Sequence, residues 1–134
     1  MALLDDLAAV LVAQGVGTLG VNVFLSSGAI IPTGVGPYLT LVETGGVAPT
    51  RIQNKRAPNT QRPTVQVFSR ATRYTDALVM ARAAYVALDG IFNTTLGSVF
   101  YLKVAARQEP TDMALDGSGR AQIVFNLDVE KSPY

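Results

Sequence analysis

Residues 121–130 read AQIVFNLDVE, and the fold is decided by how this stretch is read. Ile123, Phe125, Leu127 and Val129 alternate with Gln122, Asn126, Asp128 and Glu130, the period-two pattern of a strand with one apolar and one polar face. Immediately upstream, Glu109–Arg120 holds Pro110 and the turn string Asp116-Gly117-Ser118-Gly119, which predicts a solvated hairpin turn. Before it, Ser98–Arg107 predicts another strand.

Further outward, Thr75 is placed to cap a helix that runs to Leu88 or Asp89, with Leu78, Ala81, Tyr85 and Leu88 on one face and Gly90 as the stop. Its many alanines permit close approach to a sheet or to a neighbouring subunit. Thr64–Arg70 and Pro37–Glu43 predict two strands of a hairpin, and Val21–Leu25 a shorter strand before the Gly- and Pro-punctuated loop Ser26–Pro37. Residues 2–14 predict a helix whose buried stripe is Leu3, Leu7, Val10 and Leu11, with Asp5 and Asp6 in its first turn, where carboxylates meet the positive end of the helix dipole. Gly15, Gly17 and Gly20 end it.

The order is therefore α-β-β-β-α-β-β. Helices sit at separate points and do not follow every strand, which means α+β with a largely antiparallel sheet packed by two helices. At 134 residues the chain is expected to form one domain, with a core large enough to need no metal or disulfide staple. The hairpin tip, Thr44–Pro63, is an excursion of 20 residues with three prolines and almost no large apolar side chain, so it cannot build a core of its own. It reads as an extended basic loop or arm.

Chemistry is limited by what is missing. The chain has no Cys and no His, which removes disulfides, thiol nucleophiles, Cys- or His-based zinc sites and every triad with an imidazole base. The string Gly15-Val16-Gly17-Thr18-Leu19-Gly20 matches the dinucleotide fingerprint literally, but it follows a helix and leads into a strand, the reverse of what pyrophosphate binding needs. Glu109, Asp112 and Asp116 lack the alternate-residue spacing of a calcium loop. No enzyme, cofactor or metal is expected. The longest early apolar run, Leu7–Ala13, is too short to cross a bilayer, and Asp5 and Asp6 precede it where a signal peptide carries positive charge. The expectation is a soluble protein made in a cytoplasm, with no membrane partner.

Charge is scarce and uneven. Charged residues are 16% of the chain, below the usual quarter, so much of the surface is expected to lie against other protein. Residues 51–82 carry Arg51, Lys55, Arg56, Arg62, Arg70, Arg73 and Arg82 against Asp76 alone, for +6, while residues 1–50 sum to −3 and residues 83–134 to −2. Three readings of the basic run stand side by side: a nucleic-acid patch, a solvated polar loop, and an arm that docks on an acidic partner surface. Its length and its prolines, which lower the entropy lost on ordering, favour the arm.

The short N-terminal helix, the string Pro63-Thr-Val-Gln-Val-Phe-Ser-Arg70, the Ala-rich helix after it and the closing Asp116-Gly-Ser-Gly-Arg120 followed by Gln122-Ile-Val-Phe-Asn-Leu-Asp-Val129 resemble the tail-terminator and minor capsid proteins of long-tailed bacteriophages. The resemblance covers roughly residues 2–130. It implies a structural virion protein forming a ring, typically of six subunits, at the head-proximal end of the tail. Such a ring stops polymerisation of the tail-tube protein and meets the head connector or head-completion protein, with DNA passing through its lumen. Arg51, Lys55, Arg56, Arg62, Arg70, Arg73 and Arg120 are the candidate partner-interface residues. The alternatives are a nucleic-acid-binding accessory protein using residues 51–82, and a head-completion or adaptor protein on the other side of the joint.

Overall fold

In the computed structural model of the protein the described residues are 3–25, 36–44, 47–50, 60–96, 99–115 and 121–131. The 11-residue strand β9 (Ala121–Lys131) is the spine of the sheet. Its odd-numbered residues are all buried and its even-numbered ones half-buried, as the alternation of AQIVFNLDVE requires. Both edges of β9 are occupied. Along one, β5 (Thr64–Ala71) pairs antiparallel from Thr64 opposite Asp128 to Ala71 opposite Ala121. Along the other, β8 (Thr111–Leu115) and then β7 (Val99–Ala106) cover the two ends. Next to β5 lies β2 (Tyr38–Glu43), antiparallel, and next to β2 the three-residue β1 (Val23–Leu25), parallel. β6 (Ile91–Leu96) pairs with β7.

The helices α1 (Leu3–Ala13) and α2 (Tyr74–Leu88) cover one face of this sheet. Leu3, Leu7 and Leu11 of α1 and Met80, Ala84 and Leu88 of α2 meet Leu39, Leu41, Val65, Val67, Phe125 and Leu127 in one core. The Tyr85 ring packs edge-on against Phe125 at a centroid distance of 5.7 Å. At the N-terminal end of α2, Ala77 and Ala81 approach Ala71, Ala121 and Ile123, where small side chains let the helix lie close to the strands. Gly36 has a φ of +81°, and a Cβ there would stand 2.9 Å from the Arg70 carbonyl oxygen, so the approach of the chain to β5 requires glycine.

The seven elements expected from the sequence are present in the expected order, within an α+β architecture of mostly antiparallel pairing. Four further strands are inserted among them. Two lie in the excursion: β3 (Val47–Thr50) and β4 (Thr60–Arg62) pair antiparallel. β4 prolongs β5 along the same edge of β9, since Gln61 faces Lys131 in the register that sets Thr64 opposite Asp128. Only Pro63 interrupts it, and although Pro63 has no N–H to give, its carbonyl accepts the Val129 amide at 3.0 Å. The excursion is therefore a two-stranded ribbon at its base, growing out of the β2–β5 hairpin, and not loop throughout. Its pairing uses backbone groups, which leave no side-chain periodicity to read.

The same reason explains β6, four of whose six residues are exposed, and β8, which begins inside the stretch read as a hairpin turn. Thr75 does not cap α2. Arg73, in an extended conformation, is the N-cap residue without a side-chain cap bond, and Thr75 already lies within the first turn. The buried face of α2 is Ala77, Met80, Ala81, Ala84 and Leu88, with Leu78 and Tyr85 at its margin.

Candidate assembly interface

Of the seven basic residues expected at an interface, Arg51, Lys55, Arg56 and Arg120 lie outside the described residues. Of the other three, Arg62 is not brought to Arg70. Arg62 stands on β4 at the base of the ribbon, exposed, with its Nε 3.5 Å from the Glu130 carboxylate. Arg70 lies half-buried in the sheet, its backbone between those of Tyr38 and Gln122. Eight strand residues at ~3.3 Å each put it on the order of 26 Å from Arg62. Arg73 is exposed before α2.

Around Arg62 the outer face of the sheet carries an ordered array of charges. Glu130 has Arg62 on one neighbouring strand and Lys103 directly opposite it on the other. Arg107 donates to Asp128 at 2.6 Å. These residues line an open depression of about 310 Å3 together with Thr64. The alternation of sign leaves little net charge to attract a polyanion.

The helical side offers a different surface. Val79 and Val86 of α2 are 69% and 76% exposed. An open groove of about 550 Å3 between the end of α1 and α2 is lined by Val16, Ala83, Val86 and Ala87 with Gln14 and Arg82 at its rim. It continues past Val79 and Met80 towards Pro37. Exposed valines two turns apart on one helix face are unusual for a free surface, and a contiguous apolar patch marks an interaction site. The composition pointed to this helix through its alanines and not through its valines.

One buried polar group went unread in the sequence. Asp6, read in the sequence only as a first-turn carboxylate, is 2% exposed and accepts a hydrogen bond of 2.7 Å from the hydroxyl of fully buried Tyr101. Lys131, at the end of β9 and backbone-paired with Tyr101, is also buried. Burial, followed by the Asp6 hydrogen bond and the charges of Asp6 and Glu43, pushes the Tyr101 phenol far above its usual range. Burial pulls the Lys131 ammonium below its usual value, against the opposing influence of Glu43 and Asp6.

Among the described residues no group of three or more acidic side chains is arranged to hold a metal, and no helix is long and apolar enough to cross a membrane.

No curated protein matches the sequence. A chain in the solved structure "Virion of native gene transfer agent (GTA) particle" has a similar fold, with a TM-score of 0.60 over 98% of this chain and 92% of that one, at 18% identity. The family model described as "Bacteriophage tail terminator protein" matches residues 11–132, from the last turn of α1 through α2, the sheet and the ribbon strands. The chain belongs to the bacteriophage tail terminator family, and is a structural protein of the phage tail and the virion.

Proposed function

We propose that the protein is a subunit of a closed, hexameric ring at the head-proximal end of the tail, where it ends tail-tube polymerisation and joins the tail to the head connector. Within the family, the observation that carries this reading is the apolar outward face of α2, with Val79 and Val86 exposed along an open groove. A closed ring uses heterologous contacts, in which one surface meets a different surface of the next copy, and an uncovered helix face supplies one half of such a contact. The ribbon, with Arg62 on β4 and with Arg51, Lys55 and Arg56 in the sequence between its two strands, is the arm that reaches an adjoining subunit or ring. The protein does this work without catalysis and without a bound metal.

The nucleic-acid reading is weaker. Arg62 and Arg107 are already matched by Glu130 and Asp128, and Arg70 is remote from both. The test is mass measurement of the purified protein with and without its tail-tube partner. A six-subunit species in either condition is the expected result. Monomers in both, together with isolated monomers in the virion, would reject the ring.

A further inference from the structure

A two-stranded ribbon is marginal on its own, so its direction depends on what holds its base. Here the hold is small. β4 meets the body of the protein through Gln61 opposite Lys131, through the Val129 amide donating to the Pro63 carbonyl, and through the half-exposed Arg62–Glu130 ion pair. On the other strand the ribbon begins just after Glu43, where the Thr44 amide donates to the Thr64 carbonyl at 2.9 Å and the two threonine hydroxyls bond to each other. Everything on the β9 side therefore hangs on the last residues of β9, and strand ends ordinarily fray.

Lys131 does not behave as a frayed end. It is 6% exposed, an extreme value for a lysine, and its backbone is held between Gln61 on one side and Tyr101 on the other. Tyr101 is fixed in turn by its hydroxyl bond to Asp6 of α1. The charge of Glu43, at the start of the arm, also acts on both Tyr101 and Lys131.

We infer that the buried Asp6–Tyr101–Lys131 cluster is the anchor of the arm: it positions the ribbon's base against α1 and sets the direction in which the arm leaves the sheet. The three residues come from α1, β7 and β9, which makes the N-terminal helix part of the arm's foundation although it does not pair with either ribbon strand. They are positioning residues and touch no partner themselves. The value of such an anchor rests on the arm's proposed role in assembly, because a pre-oriented arm loses less entropy on docking.

Amide hydrogen exchange on the intact protein tests the anchor without reference to assembly. Tyr101→Phe removes only the hydroxyl. It is expected to speed exchange at Gln61, Arg62 and Lys131 about tenfold or more by local opening. Ile123→Val, at the far end of β9 and in the core, provides the comparison: it lowers the melting temperature but leaves those three amides at wild-type rates. Arm-base rates unchanged in Tyr101→Phe, or raised equally by Ile123→Val, would overturn the inference. Should Tyr101→Phe fail to fold, Asp6→Asn makes the same comparison, with faster exchange expected at the arm base alone. Tail-joining efficiency of the same variant separates the two proposals. A loosened base with joining intact would keep the anchor and reject the arm as a docking element.

Discussion

β4 and β5 lie on one line of backbone, parted only by Pro63, yet they are held by different means. In β5, Val65 and Val67 are fully buried beneath the helices and every residue pairs with β9. In β4, backbone pairing with β9 falls to Gln61, and the remaining support is the Arg62–Glu130 ion pair and the partner strand of the ribbon. Burial of apolar area holds the first, at about 25 cal/mol per Å2. Backbone hydrogen bonds and a polar anchor hold the second, and such bonds contribute about 1 kcal/mol each once exchange with water is counted. The same line of chain thus passes from the apolar core of the protein to a segment held by polar contacts.

The sharpest contrast is expected at Phe125, fully buried and in edge-to-face contact with Tyr85. Phe125→Ala should cost ~3–5 kcal/mol, lowering the melting temperature by more than about 10 °C in a chain of this size. Thermal unfolding followed by circular dichroism measures it. A loss below about 1 kcal/mol would mean that β9 is not the spine described here.

An intermediate effect is expected from Tyr101. Its phenol ionises far more readily in the unfolded chain than in the folded one. Its contribution is therefore fully present below the ordinary tyrosine pKa of about 10 and is lost as pH rises beyond it. Absorbance titration should show Tyr101 ionising only together with alkaline unfolding, and Tyr101→Phe should abolish that late step. Ionisation of Tyr101 before any loss of ellipticity would show that the Asp6 contact is not closed to water.

The smallest effect belongs to Arg62. Its pair with Glu130 is half-exposed, so Arg62→Ala should cost no more than ~0.2–1 kcal/mol in chemical denaturation. A larger loss would move Arg62 from the rim of the arm into its foundation.

The same contrast decides what could be read from the sequence. AQIVFNLDVE and TVQVFSR announce their strands because burial on one face writes a period of two into the residues. Leu3, Leu7 and Leu11 announce α1 likewise. Val47–Thr50, Thr60–Arg62, Ile91–Leu96 and Thr111–Leu115 pair at edges with little burial where the side chains are described, so composition records only their polarity. Asp6 was legible as a first-turn carboxylate, but its burial depends on Tyr101, 95 residues away, and on Lys131 beyond it. Six of the seven candidate cations were legible as the charge excess of residues 51–82, and Arg120 through the resemblance. The separation of Arg62 from Arg70, and the matching of Arg62 by Glu130, follow from strand register and not from composition.

The central claim is that the ribbon serves assembly and not folding. The most direct measurement is tail-joining efficiency after deletion of residues 46–61 with a short Gly/Ser bridge. The cut lies just beyond the Thr44–Thr64 pair, where the β2–β5 hairpin closes naturally. The account predicts a protein that keeps its circular dichroism spectrum, with joining reduced well below that of wild type and further than in a variant with Arg51, Lys55, Arg56 and Arg62 all changed to Ala. Joining at wild-type level by the folded deletion variant, with DNA binding lost, would contradict it.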